Sequence, residues 1–282
     1  MDGVDCMAVA PMSALRKRTL TALALVPLVI GAVLWLPTSL FALVLGGAIG
    51  VGAWEWAALA GVTDRRSRAL YPLLVAGAMV PLWSYPQGLL WLAVVSALWW
   101  LWQARRLLSM RSIAPASGID GRLLAVGLLV LVAPWAALVT LHDAAGGPAL
   151  VLFLLFVIWS ADTGAYFTGR RWGRTKLAPV LSPGKTRAGV YGGVLGAVLC
   201  ALVFAWLQGL APLHGLLLLL ISAATALISV AGDLYESLLK RRRGVKDSGQ
   251  LLPGHGGMLD RIDSLTAAAP LFLLGTTLIG VR

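Results

Sequence analysis

Charged residues make up only 12% of this 282-residue chain, whereas roughly a quarter of a soluble globular domain is charged. That shortage excludes a fold whose main solvent is water. Cysteine is almost missing: Cys6 lies near the N-terminus and Cys200 inside an apolar run. A disulfide framework, a thiolate metal cluster and cysteine redox chemistry are thereby excluded. No GxxxxGK[ST] pattern occurs, which excludes a P-loop. What fills the chain is apolar, with 59% hydrophobic residues and a mean hydropathy of +0.85.

Apolar segments recur at 20–36, 39–60, 70–84, 88–102, 123–141, 148–168, 189–207, 212–230 and 265–281. A helix crossing a bilayer needs about 20 residues. The third and fourth segments are short for that, so they are expected to extend into flanking residues or to sit in a thin part of the bundle. Arg16, Lys17 and Arg18 precede the first segment as in a signal peptide, but no small-residue cleavage site follows, so it reads as the first membrane helix. The expected fold is an all-α polytopic membrane protein of about nine transmembrane helices, N-terminus cytoplasmic and C-terminus periplasmic. Its expected parts are a tail at 1–19, helices one to five at 20–141, and helices six to nine at 142–282 with catalytic loops at 169–188 and 231–264.

The basic residues set that orientation. With the N-terminus inside, the segments 1–19, 61–69, 103–122, 169–188 and 231–264 hold every Lys and Arg of the 23 except Arg282. The opposite loops hold none of the rest, as the positive-inside rule requires. The net charge of +11 is therefore a matter of topology, and no nucleic-acid partner is expected. Basic loops also attract anionic headgroups, so Arg65, Arg66, Arg105 and Arg106 need no catalytic role. Tryptophans at segment ends, such as Trp35, Trp83 and Trp172, read as an interfacial belt.

Three polar stretches are more than connectors. The longest runs from Gly232 to Ser264; if its start is helical, Asp233, Glu236 and Lys240 share one face. A plain i,i+4 pair between Glu236 and Lys240 is the simplest account of that start, yet it leaves the rest unexplained. Lys246 and Asp247 are followed by Pro253-Gly254-His255-Gly256-Gly257 and then by Asp260, Arg261 and Asp263. Glycines there let backbone N–H groups approach a ligand. Asp260 and Asp263, one turn apart, present two carboxylates of the kind Mg²⁺ takes beside phosphates, although local salt bridges to Arg261 are the alternative. The second stretch is Trp159 to Phe167, where Asp162 near the end of an apolar segment should face the interior with a partner or ion. Glu55, between Trp54 and Trp56, invites the same argument. The third is Leu181-Ser182-Pro183-Gly184-Lys185-Thr186-Arg187, whose Ser182, Lys185 and Thr186 suit phosphate oxygens, or form an ordinary interfacial turn.

Ser237, Lys240-Arg241, Lys246-Asp247, Gly249, Leu252-Pro253, His255-Gly256-Gly257, Asp260-Arg261 and Asp263 together resemble the signature of the phosphatidate cytidylyltransferases, the CDP-diacylglycerol synthases. Asp162-Thr163-Gly164-Ala165-Tyr166 and Ser182-Pro183-Gly184-Lys185-Thr186 resemble further segments of that family in the same order. One departure is Ala188, where the family usually carries a glutamate. The resemblance implies transfer of the cytidylyl group of CTP to phosphatidate, Mg²⁺ dependence with a second monovalent cation such as K⁺, and a homodimer in the bacterial inner membrane with its active site facing the cytoplasm. It points to Asp233 and Asp260 as metal ligands; the charge that such a transfer must hold adds Asp263, Glu236 and Asp162 as further ligands or supporting anchors. Lys185, Lys246 and Arg261 are expected at the reacting phosphates, and Ser182, Thr186, Lys240, Arg241, His255, Gly256 and Gly257 at the substrates. His255 is read mainly as a structural hydrogen-bonding group in its turn. A transporter of an anionic solute, and a different enzyme joining a nucleotide to a lipid phosphate, are the competing readings.

Overall fold

Backbone groups in hydrocarbon have no water to bond, so each long apolar run closes its own hydrogen bonds as a helix. The computed structural model describes residues 14–84, 86–249 and 256–280. Cys6, Tyr85, His255 and Arg282 lie outside them, as do Leu252, Pro253 and Gly254 of the signature. The described helices are α1 (Ala14–Trp35), α2 (Thr38–Leu59), α3 (Arg65–Ser84), α4 (Pro86–Leu108), α5 (Gly121–Asp143), α6 (Gly147–Trp172), α7 (Arg187–Leu207), α8 (Pro212–Arg242) and α9 (Leu259–Ile279).

Six of these, α2 and α5 to α9, are long and apolar enough to cross a bilayer, so the chain is a polytopic helical membrane protein. The two short apolar segments belong to longer helices of 20 and 23 residues, α3 and α4. Their added turns carry Arg65, Arg66 and Arg68 at one end and Arg105 and Arg106 at the other. Asp64 fixes the start of α3 by accepting the Ser67 N–H at 2.8 Å. Those hydrogen bonds hold its carboxyl below the usual aspartate range.

Four of the basic segments meet at one end of the bundle. Arg243, just beyond α8, donates to the carbonyls of Leu59 at 2.8 Å, Ala116 at 3.2 Å and Gly118 at 2.8 Å. It thereby ties the end of α2 to the α4–α5 connection. The fourth segment forms a short antiparallel hairpin, β1 (Lys176–Ala178) and β2 (Ser182–Thr186), where the sequence suggested only a turn. Its tip is pinned by Leu181, 1% exposed in the core, and pairing satisfies backbone groups that would otherwise be stranded beside apolar neighbours. Thr186 then caps α7 by accepting the Gly189 N–H at 3.1 Å.

Two apolar clusters build the core, and both include residues of α9. Interior tryptophans pin helices by bonding carbonyls: Trp56 to Leu123 at 2.9 Å, Trp100 to Thr266 at 3.1 Å and Trp135 to Ala42 at 2.9 Å. Trp35, Trp83 and Trp172 are instead exposed, the arrangement a belt requires.

Helices α6 and α7 pack closest. Gly189, Gly193 and Gly192, Gly196 repeat at four-residue spacing and lie against Ala161, Gly164, Ala165 and Thr168. Small residues at that spacing allow backbones to touch, where dispersion must replace the missing hydrophobic drive. A Cβ at Gly164 would collide with the Gly192 carbonyl. Gly164→Val should therefore part the two helices at a cost of about 1–3 kcal/mol, read as a lower melting temperature in detergent; an unchanged melting curve would contradict the packing.

Candidate active site

Unbroken by its apolar end, α8 runs on as helix through the polar residues Asp233 to Arg242. Asp233, Glu236 and Lys240 therefore do share a face. Asp233 lines a cavity of about 220 Å³ with Asp162 of α6, Lys185 and Thr186 of β2, Gly189 and Gly193 of α7, Ser229 of α8 and Ser264 of α9. The glycine-lined contact of α6 and α7 forms one wall. Lys185 Nζ reaches Asp233 Oδ2 at 2.7 Å, with both side chains a quarter to a third exposed (25% and 34%). Asp162 is within electrostatic reach of both. One cation thus stands among carboxylates at the mouth of a polar cavity.

One turn further along α8 lies a drier cluster. Lys240 is clasped by Glu236 at 2.9 Å and by Asp260 of α9 at 2.6 Å. The other oxygen of Asp260 accepts the backbone N–H groups of Ser248 at 3.0 Å and Gly257 at 2.8 Å and the Ser248 hydroxyl at 3.0 Å. Behind it sits Glu55 of α2, buried and bonded to the Met258 and Leu259 N–H groups at 2.9 and 2.8 Å and to the Ser248 hydroxyl at 2.9 Å. A carboxylate at the first N–H groups of a helix satisfies donors with no partner inside the helix and opposes the positive end of its dipole. Glu55 is the buried terminus for α9.

The glycines of the signature make room for these carboxylates. A side chain at Gly249 would strike the Glu55 carboxylate, and one at Gly257 would strike both the Ser248 hydroxyl and Glu55. Gly256 has φ +79°, a left-handed backbone, and lies against Asp260. Gly249, Gly256 and Gly257 therefore close around the protein's own anions. Gly257→Ala should cost about 1–3 kcal/mol by overpacking and lower activity with it; a variant as stable and active as the parent would contradict the close fit.

Among the remaining expected residues, Asp263 lies within electrostatic reach of Asp233 and Glu236. The Glu236 side chain meets that of Asp263, and its buried Oε1 has no Lys, Arg or backbone N–H donor among the described residues. Ser182 opens β2 and is partly buried, while Arg241, Lys246 and Arg261 are exposed near the cavity end of the bundle. Ala188 lies in the first turn of α7 and supplies no carboxylate of its own there. Among the described residues no three His, Cys, Asp or Glu side chains form a ready metal cluster. The residues that sequence reasoning passed over are Ser248, which bridges Glu55 and Asp260, and the cavity-lining Ser229 and Ser264. Ser264 follows Asp263 directly, a usable signal; Ser248 offered none beyond its place in the signature.

The chain matches the cytidylyltransferase family over residues 16–278. It is 42% identical over 258 residues to a phosphatidate cytidylyltransferase of Pseudomonas aeruginosa, covering 92% of this chain and 95% of the relative. It is 37% identical over 282 aligned residues to the phosphatidate cytidylyltransferase of Haemophilus influenzae, covering 92% and 97%. A further relative of that name, from Staphylococcus epidermidis, is 47% identical over 127 residues, 44% of this chain and 48% of its own.

Proposed function

The chain belongs to the cytidylyltransferase family, and from that premise we propose that it transfers the cytidylyl group of CTP to phosphatidate, giving CDP-diacylglycerol and pyrophosphate in phospholipid synthesis. The observation that carries the reading to these atoms is the polar cavity where Lys185 faces Asp233. Transport of an anionic solute is set aside, because relatives aligned over nearly the whole chain carry the transferase name.

The lipid phosphate is already ionised near neutral pH, so no residue has to remove a proton from a hydroxyl. One of its oxygens attacks the α-phosphorus of CTP, the bond to the bridging oxygen of the β-phosphate breaks, and pyrophosphate leaves. What the protein must supply is position and charge. Lys185 meets phosphate oxygens once its hold on Asp233 is shared, and Thr186 and Ser182 add hydroxyls on the same strand. Lys246, Arg241 and Arg261 are assigned to the outer phosphates. Lys240 and Asp260 are assigned to holding α8, α9 and the glycine turn in register rather than to leaving the cluster, since their partners already satisfy them.

Mg²⁺ normally takes one or two protein carboxylates and completes its shell with water and phosphate. Asp233 at the cavity, Asp263 within its reach and Glu236 beside Asp263, with one oxygen not taken by Lys240, fit that demand. Asp260 would join them only by exchanging Lys240 for the metal. When bound, the ion would neutralise charge on the triphosphate. A monovalent cation such as K⁺ is assigned to the same acidic neighbourhood.

Nine crossings place the basic end in the cytoplasm, where CTP is met, while the acyl chains of phosphatidate stay in the bilayer. The protein acts as a homodimer in the inner membrane. A cysteine introduced at Val245, exposed in the connection after α8, would be labelled from the cytoplasmic side only; labelling from outside would reverse the orientation.

Purified protein given CTP, phosphatidate and Mg²⁺ should form a lipid-linked cytidine product. Lys185→Met should lower its rate about 10²–10³-fold. No product from the parent across lipid and salt conditions would overturn the function, and a fully active Lys185→Met would overturn the residue's role.

A further inference from the structure

On the side of α8 away from Asp233, a second cavity of about 390 Å³ opens between α4, the start of α5 and α8. Trp99 and Tyr235 wall it edge to face, with ring centroids 5.2 Å apart. Trp102, 56% exposed, carries the wall outward to the apolar surface of α4, where Leu98 and Leu101 are exposed as well. The pocket is thus continuous with a lipid-facing surface.

Its polar lining is cationic. Arg106, Arg122 and Arg242 supply three guanidiniums against one carboxylate, Asp120. Asp120 stands 3.6 Å from Arg242, and among the described residues neither Arg106 nor Arg122 has an ion pair. Arg106 lies over the Trp102 ring at 5.6 Å. The third element is Gln103, 2% exposed. It lines the same cavity with its amide beside the Tyr235 hydroxyl, and its Oε1 is buried with no hydrogen-bond partner among the described residues. A buried acceptor left unmatched is costly, so the site calls for a hydrogen-bond donor as well as an anion.

We propose that this pocket binds the headgroup of an anionic phospholipid, with its phosphate held by Arg106 and Arg122 and a headgroup hydroxyl donating to Gln103 Oε1. Phosphate answers the guanidiniums, in which planar donors pair with two oxygens at once. The hydroxyl answers the amide oxygen, and the glycerol and upper acyl carbons pass over Trp102 into the bilayer. Generic attraction of basic loops to a charged surface accounts for none of the buried part: it needs neither a cleft walled by aromatic rings nor a buried acceptor. The cavity is separated from the phosphates of the reaction by the body of α8, so the lipid held here is a ligand and not the substrate.

The test counts lipids on the full chain in detergent by native mass spectrometry, with phosphatidylglycerol, phosphatidylcholine or inorganic phosphate added. The parent should retain one phosphatidylglycerol above the phosphatidylcholine background. R106Q/R122Q should weaken that retention about thirtyfold while melting and turning over in zwitterionic lipid as the parent does. Q103L, which leaves both arginines in place, should weaken phosphatidylglycerol retention and leave phosphatidylcholine unaffected. Equal retention by the parent and R106Q/R122Q would overturn the proposal. So would displacement of the lipid by millimolar inorganic phosphate, since the pocket would then be a site for free anions.

Discussion

Asp233→Asn is expected to lower cytidylyl transfer about a thousandfold, the scale seen when a group that handles developing phosphate charge is removed. Asparagine keeps the shape of the side chain and loses its charge. Lys185 would then stand in the cavity without the carboxylate it meets at 2.7 Å, and a metal would lose one of the two carboxylates, Asp162 and Asp233, that line the open space. Both partners are a quarter to a third exposed (25% and 34%), so the fold itself should lose at most about 1 kcal/mol. Rate and stability are therefore expected to separate. Turnover at saturating substrates, measured beside a melting curve, tests this; a variant that turns over at the parental rate would remove Asp233 from the chemistry.

Glu55→Ala should do the reverse, acting on stability first. Glu55 is 4% exposed and accepts three hydrogen bonds, two of them from the opening N–H groups of α9. Truncation leaves those donors buried without a partner, at about 1–3 kcal/mol for each, and takes a negative charge from the positive end of a helix. The combined loss should reach about 4 kcal/mol, since neighbouring terms do not simply add. Glu55→Gln retains one acceptor oxygen and should lose less than half of that. The order parent, Gln, Ala in melting temperature is the expected result, and an alanine variant that melts with the parent would refute the anchoring role.

How much of this could be read from the sequence depends on the distance over which each interaction acts. The nine apolar segments lie within the described helices to within a few residues at most of their ends, because each is a local and highly periodic signal. The expected extension of the third and fourth segments runs further than their hydropathy shows, to Arg65 in α3 and past Arg106 in α4, because arginines lower the local hydropathy without stopping a helix, their long stems reaching past the apolar zone. The hairpin went unread because strands of three and five residues around Pro179 and Pro183 look like a turn until Leu181 finds its place in the core. Asp233, Glu236 and Lys240 were legible as one helical face, since that relation is local. The union of Lys240 with Asp260, across 20 residues, was not. Glu55 stood out as an acid among tryptophans, but its partners lie 193 to 204 positions away. Glycines of the signature announced a close approach of backbone to an anion, and the anions they meet are the carboxylates of Glu55 and Asp260. A pattern in sequence states that room is needed; only the fold states what fills it.

In the proposed transfer the bond broken in CTP joins its α- and β-phosphates, and the lipid phosphate takes the α-phosphorus. Parallel reactions of the purified protein with CTP labelled at the α- or the γ-phosphate test it directly. Label from the α position should move into the lipid phase, and label from the γ position should remain in water as pyrophosphate. Lipid labelled from the γ position would mean phosphoryl rather than cytidylyl transfer and would contradict the account.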